Sequence, residues 1–229
     1  MSVLRLGLVG ATGRMGKRVK AACASSAFSS RAEVAAELGR GEDPARLAGC
    51  DAVIDFSSPA GTLSVIRAFE RLANPPALAI GTTGFSDAEK SELEKYAARH
   101  PCLVASNFST GVQALSKLLS DAAGLAELQG YRIGIRELHH VHTKDAPSGT
   151  ALSLKALLPG KPVEVESIRE GEIVGTHEIT FTSDSDRIVL IHEAFDRGIF
   201  GSGAIETALK LVEKRASLPK KLLSLRDVF

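Results

Sequence analysis

Val3 to Val9 is a short apolar run with a β-branched residue at each end, and a glycine-rich turn, Gly10-Ala-Thr-Gly13-Arg-Met-Gly16, follows it directly. Lys17 to Cys23 then has helical spacing. Strand, glycine turn and helix in that order constrain the chain strongly. The apolar run reads as a buried parallel strand, and such a strand needs a crossover helix to reach the next one. The same order is the context of a dinucleotide-binding loop, in which small residues let the backbone approach a pyrophosphate held at the helix N-terminus. The spacing is Gly-x-x-Gly-x-x-Gly rather than the strict Gly-x-Gly-x-x-Gly. Glycine turns also occur for tight packing alone. Gly10, Ala11, Thr12, Gly13, Arg14, Met15 and Gly16 are therefore the candidate cofactor loop.

The alternation continues downstream. Strands are expected at Glu33 to Leu38, Ala52 to Phe56, Ala77 to Ile80 and Leu103 to Ala105. Helices are expected at Thr62 to Leu72, and from a capping box at Ser86 and Glu89 as far as His100. This predicts a doubly wound parallel sheet with its ligand at the carboxyl ends of the strands. A long helix over Val112 to Leu128 comes next. Arg132 to Leu138 alternates as a strand and delivers His139 to its end. From Val163 the pattern changes: Val163 to Arg169, Glu178 to Thr182 and Arg187 to Glu193 read as strands of a mixed or antiparallel sheet, and Ala204 to Arg215 as an amphipathic helix. The expected fold is α/β, a doubly wound parallel sheet plus a smaller α+β domain. The chain should cross between the two near Ser106–Gly111 and Arg197–Gly203, where Gly and Ser suit a hinge.

Glu137 to Ala151 carries the densest chemistry. His139, His140, His142, Lys144 and Asp145 lie within a few residues, followed by Pro147, Ser148, Gly149 and Thr150. Ser and Pro beside the good helix formers of Ala151 to Leu158 mark a helix start, whose free N–H groups hold an anion. Imidazole and ammonium groups beside an anion cradle suit a small acidic substrate undergoing proton-coupled chemistry. Three clustered histidines raise a metal site as an alternative. No carboxylate or cysteine completes a ligand set, and no metal is expected.

Among 229 residues the formal net charge is +1, which gives no reason to expect nucleic acid or a membrane surface as partner. Cys23, Cys50 and Cys102 are far apart and read as buried thiols of a reducing compartment. The N-terminal apolar run is too short for a signal peptide, and no stretch approaches the roughly 18 apolar residues of a membrane span. A soluble cytoplasmic protein is the expectation.

His139-His140 followed by Asp145-Ala-Pro-Ser-Gly-Thr150 resembles the signature of the dihydrodipicolinate (4-hydroxy-tetrahydrodipicolinate) reductases. Gly10–Gly16, Gly81-Thr82-Thr83-Gly84-Phe85 and Ser106–Val112 resemble three further segments of that family, in the same order. The resemblance implies a Rossmann-type nucleotide domain over 1–110, completed by 204–229, and a substrate-binding and oligomerisation domain over 111–203. It implies Arg14 near the cofactor phosphates, and Gly81, Thr82, Thr83, Ser106, Asn107 and Phe108 along the rest of the cofactor. A phenylalanine followed by a small hydroxyl residue, here Phe56-Ser57, also sits beside the cofactor in the family. It implies His139 as proton donor, His140 as substrate ligand, Ser148, Gly149 and Thr150 as a carboxylate cradle, and Arg197 near the substrate. The implied reaction is hydride transfer from NADPH or NADH to a cyclic imine dicarboxylate, on the diaminopimelate route to lysine. A homotetramer is implied as well.

Two positions depart from the family. The acid expected after strand two is replaced by Gly39, and Arg40 follows as a candidate for a 2′-phosphate, with Glu37 two residues earlier. NADPH is therefore expected to be preferred, with NADH accepted. The family lysine is expected where this chain has Thr143, and Lys144 is the candidate to replace it; His142 as the cation, or a repurposed homologue that binds cofactor and reduces little, are the alternatives.

Overall fold

A computed structural model describes residues 3–125, 130–158, 160 and 162–229. Two compact units make up the chain: Met1–Ser109 with Gly198–Phe229, and Thr110–Arg197.

In the first unit five parallel strands form one sheet: β1 (Leu4–Val9), β2 (Ala32–Leu38), β3 (Ala52–Asp55), β4 (Ala77–Ile80) and β5 (Cys102–Val104), in the order β2-β1-β3-β4-β5. Every residue of β3 and β4 is buried, as a parallel strand covered on both faces requires. Leu6, Leu8, Ile54 and Ala79 face one cluster with Val19 of α1 (Arg14–Cys23) and Ala204, Ile205 and Ala208 of the C-terminal helix α6 (Gly198–Glu213). Val9, Val53, Leu78 and Ile80 face the other, with Leu63, Ile66 and Phe69 of α2 (Pro59–Phe69) and Leu93 and Tyr96 of α3 (Asp87–Ala97). Helix α2 begins earlier than its periodicity suggests, because Ser58 caps it through Gly61 N and Pro59 takes the first helical position. The capping box of Ser86 and Glu89 starts α3.

Within the second unit lie α4 (Thr110–Ala123), α5 (Gly149–Lys155) and four strands. These are β6 (Arg132–His139), β7 (Val163–Arg169), β8 (Gly175–Thr182) and β9 (Arg187–Ala194), in the order β7-β6-β8-β9. The β6–β7 pair is parallel and the other two are antiparallel, so the sheet is mixed. Ile133, Ile135, Ile179 and Phe181 pack with Leu115 and Leu119 of α4 and Ala151 and Leu154 of α5. The opposite face, with Arg136, Glu166, Glu178, Val189 and Ile191, is more open. The expected extension of α4 to Leu128 runs into residues 126–129, outside the described residues.

Two expectations change. Strand β8 begins at Gly175 rather than Glu178, which makes His177 a strand residue paired with Glu137. The chain crosses between the units at Ser109/Thr110 and at Arg197/Gly198, inside both expected stretches, but the glycine-rich second stretch is not a loop throughout. From Gly198 it is the opening of α6, and its glycines allow close approach: a Cβ at Gly201 would lie 2.9 Å from the Arg18 backbone, and one at Gly203 only 1.7 Å from the Phe108 carbonyl oxygen. Gly203→Ala would gain about 1 kcal/mol of helix propensity, but overpacking costs typically 1–3 kcal/mol or more. At Gly203 the obstacle is backbone, so overpacking should win and Tm should fall by several degrees. Gly49→Ala, which meets nothing within 4 Å, is the control. Equal Tm values for the two variants in thermal unfolding would contradict this packing.

Candidate active site

In the first unit the sheet order reverses at β1 and β3, and the carboxyl ends of these neighbouring strands open a crevice. Gly10 ends β1 with φ +77°, and a Cβ there would lie 2.5 Å from the Phe56 carbonyl oxygen. A Cβ on Gly16 would lie 2.4 Å from the Gly10 carbonyl oxygen. Only glycine fits this close crossing of turn and helix. Helix α1 has no side-chain cap and no acidic residue in its first turn, which leaves its leading amides suited to an anion. A cavity of about 290 Å³ is lined by Arg14, Met15, Phe56, Ser57, Gly81, Thr82 and Thr83. A phosphate-bearing nucleotide fits these features.

Asp55, 1% exposed at the end of β3, organises the cavity floor. It accepts hydrogen bonds from Ser57 N (2.9 Å), Thr62 Oγ1 (2.6 Å) and Thr82 Oγ1 (3.4 Å). Burial pushes its carboxyl up, against the hydrogen bonds that favour the charged form. The Thr82 hydroxyl is thus engaged with Asp55, while Thr82 remains part of the cavity lining. Two other predicted cofactor residues also have partners within the protein. The Phe108 ring is 2% exposed and packs edge-on against Phe56 at 5.6 Å, and the Asn107 side chain accepts from Ser109 N (2.8 Å) as a turn residue. Ser106 is exposed.

At the end of β2, Gly39 and Arg40 stand as expected, but an acid returns from further along the chain. Glu42 accepts a hydrogen bond from Gly39 N at 2.6 Å and pairs with Arg46 at 2.9 Å. The Gly39 amide, then Arg46, hold its carboxyl below the ordinary carboxylate value. Glu37 pairs instead with Lys20 of α1 at 3.1 Å. Arg40 is exposed.

In the second unit β6 ends at His139, and its core-facing side chains change from apolar to polar along the strand: Ile133, Ile135, Glu137, His139. Glu137 is 0% exposed. One oxygen accepts from His139 Nδ1 in a short hydrogen bond. The other accepts from Arg169 Nη2 (2.8 Å) and Ser148 N (3.2 Å). Burial pushes the carboxyl up, but the hydrogen bonds from Arg169 and His139 outweigh it and leave the group below its ordinary value. Arg169, at the end of β7, also donates to the carbonyls of Thr143 (3.2 Å) and Asp145. The backbone on both sides of Lys144 is therefore held, while the Lys144 side chain is exposed. Thr143 itself turns towards His140, with its hydroxyl 3.4 Å from the ring. Burial, then the Arg197 charge, lowers the His140 imidazole. Among the described residues no carboxylate pairs with Arg197.

Ser148 caps α5 through Ala151 N (3.2 Å) and gives its own N–H to Glu137. Its amide is thus engaged, while its hydroxyl oxygen accepts within α5 and keeps the O–H to donate, so Ser148 stands with Gly149 and Thr150 in the predicted cradle. His139, Ser148 and the loop with Lys144 are brought together; Arg197 follows β9 and is near enough to His140 to influence its charge. The sequence reading assigned no role to Asp55, Glu42, Glu137 or Arg169. Their signals were present only as unremarkable acids and a sheet arginine, because what matters about each is its partner across the fold.

Glu137, His139 and His177 place one possible ligand atom each within 4.8 Å of one another. A carboxylate therefore does stand beside the histidines, contrary to the sequence reading. Both its oxygens are already engaged, one by a guanidinium whose charge opposes a cation, so the cluster is best described as a hydrogen-bonded carboxylate–imidazole pair.

A glycine turn at the switch point of a parallel sheet, with a second unit whose mixed sheet presents an imidazole and a lysine loop, defines the two-domain nicotinamide-dependent oxidoreductases. The chain belongs to the dihydrodipicolinate reductase family: the family's N-terminal model matches residues 4–108 and its C-terminal model residues 111–229. The 4-hydroxy-tetrahydrodipicolinate reductase of Desulfovibrio desulfuricans is 37% identical across 97% of this chain and 98% of its own length. That of Akkermansia muciniphila is 36% identical across 92% and 93%. Among solved structures, a dipicolinate-bound dihydrodipicolinate reductase from Paenisporosarcina sp. TG-14 superposes with a TM-score of 0.75 at 20% identity, covering 99% of this chain and all of that one. A probable dehydrogenase from Thermotoga maritima has a TM-score of 0.66 at 10% identity, covering 98% and 92%, and shares the fold alone.

His177 is 2% exposed, neither ring nitrogen has a hydrogen-bond partner, and its ring packs edge-on at 5.2 Å against His139. Burial pushes its pKa down to about 4. Below about pH 6.5 the unfolded chain takes a proton on this imidazole, while the folded chain takes none until about pH 4. Stability should be full above about pH 6.5 and fall by on the order of 3 kcal/mol as pH drops towards 4. Denaturant unfolding across that range should show a flatter profile for His177→Phe. An equally steep loss in that variant would remove His177 as the cause.

Proposed function

We propose that the protein reduces 4-hydroxy-tetrahydrodipicolinate to tetrahydrodipicolinate, on the diaminopimelate route to lysine, with a reduced nicotinamide cofactor. The observation that carries the reading is His139 at the end of β6, its Nδ1 held by the buried Glu137 and its loop running intact into Asp145–Thr150. The cofactor supplies the hydride. Arg14, Met15 and the Gly10–Gly16 turn hold its phosphates, and Phe56, Ser57, Gly81, Thr82 and Thr83 line the rest of its path. Gly149 and Thr150, with Arg197, bind the carboxylates of the cyclic dicarboxylate. His140 contacts the substrate. His139 donates the proton to the carbon beside the one that receives hydride. Lys144 supplies the cation that the family places one residue earlier; both flanking carbonyls are held, so its exposed stem rather than a shifted backbone must reach the substrate.

The assembly proposed is a homotetramer joined through the second unit's sheet. Its support is the edge strand β9, whose Val189 and Ile191 are 38% and 58% exposed. Light scattering after size exclusion reads the assembly directly, and a monomer at micromolar concentration would count against it. Among the described residues no helix is long and apolar enough to cross a membrane, and a cytoplasmic location fits a biosynthetic reductase.

Steady-state oxidation of NADPH, with substrate generated in situ by the preceding synthase, tests the activity. Lys144→Ala should lower turnover by about 10²–10⁴-fold, the range of a proton-transfer group. Turnover within about threefold of the parent would exclude Lys144, and a strong gain in Thr143→Lys would mark the parent as an impaired member of the family.

NADPH should be used better than NADH by a modest factor, because Arg40 offers the 2′-phosphate a cation while Glu42 tempers its attraction. Arg40→Ala should raise KM for NADPH several-fold more than for NADH, and Glu42→Gln should favour NADPH further. Equal changes for both cofactors would show that neither residue reads the phosphate.

A further inference from the structure

We propose that Glu137 is the positioning residue of the substrate unit: it fixes the tautomer of His139 and, through Arg169, the loop that carries Lys144. The proposal rests on the reading of His139 as proton donor and goes beyond it by naming what orients that donor.

Three features of the geometry support it. First, Glu137 has no access to water and both its oxygens are engaged, so a neutral or rotated carboxyl would leave several buried donors unmatched. Second, its contact with His139 is through Nδ1. A carboxylate accepts and cannot donate, so Nδ1 carries a hydrogen and Nε2 is the atom left for the reaction. When the imidazolium gives up its Nε2 proton, the N–H bond breaks, a C–H bond forms on the substrate, and the electron pair remains on Nε2. The ring is then neutral with Nδ1–H still on Glu137, so no reorientation is needed between the two states. Gly175 completes the arrangement from β8: a Cβ there would lie 3.0 Å from His139 Nε2. Third, the same carboxylate holds Arg169, whose other donors grip the carbonyls of Thr143, Asp145 and Ile168. Glu137 also takes the Ser148 amide at the start of α5. The proton donor, the lysine loop and the beginning of the cradle thus share one buried anchor.

A merely structural ion pair between β6 and β7 would predict a different outcome. Glu137→Gln keeps the size and one acceptor but loses the charge that both His139 and Arg169 face. With positioning, kcat should fall by about 10²-fold or more, as for other oriented imidazoles, while KM for NADPH stays within about threefold. Long-range ¹H–¹⁵N spectra of histidine-labelled protein should show His139 as the Nδ1–H form in the parent and a loss of that form in the variant. Arg169→Lys should keep the Nδ1–H form, because Glu137 remains, but lower turnover by releasing the loop. Unchanged kcat in Glu137→Gln, or a neutral His139 ring in the parent that carries hydrogen on Nε2 and none on Nδ1, would overturn the proposal. Should the variant not fold, the parent's spectrum still decides. A parent with no reductase activity would remove the functional reading, while the tautomer would continue to test the positioning.

Discussion

The second unit depends on one buried charge. Glu137 lies where the core-facing side of β6 passes from isoleucine to imidazole, and its carboxylate is shielded from water. A lone carboxylate in such a place would be costly or would take up a proton. Arg169, His139 and the Ser148 amide prevent this, and their convergence links three separate parts of the chain. The strand pairing makes it possible: Glu137 sits between Ser167 of β7 and His177 of β8, and His139 stands beside Arg169. A change of register by one residue would turn the entire polar set to the other face.

The first unit solves a different problem, which is to bring a turn, a helix and the neighbouring strand's loop into close backbone approach. Glycines at 10 and 16 remove the side chains that would otherwise strike Phe56 and the turn itself. Asp55 serves there much as Glu137 does in the second unit. It ties the loop after β3 to Thr82 after β4, which braces two walls of the cavity with a single buried acid. In both units the groups that would face a ligand are held by a carboxylate that does not itself face it.

The departures from the family pattern acquire a physical sense in the structure. Gly39 removes an acid from the end of β2, but Glu42 folds back onto its amide, so negative charge near the end of that strand is moderated rather than abolished. The threonine at 143 faces His140, and Arg169 holds the backbone on either side of Lys144. Whatever Lys144 does depends on its long side chain, since its backbone is held from both sides.

Local signals in the sequence determined most of the scaffold. Short β-branched runs, the Ser86–Glu89 box and the glycine turn are effects of near neighbours, and they announced the parallel sheet, the helix after the turn and the start of α3. His139, Lys144 and the Asp145–Thr150 run could be picked out because they are contiguous. The tertiary structure alone decided the rest, because it concerns residues distant in sequence. Glycines 201 and 203 look like loop residues until α6 is packed against Arg18 and Phe108. The partners that Phe108, Thr82 and Asn107 find within the protein are equally absent from any local pattern. Glu137 and Arg169 are 32 positions apart, and no local pattern says that they meet; only the parallel pairing of β6 with β7 places that charge pair beside His139.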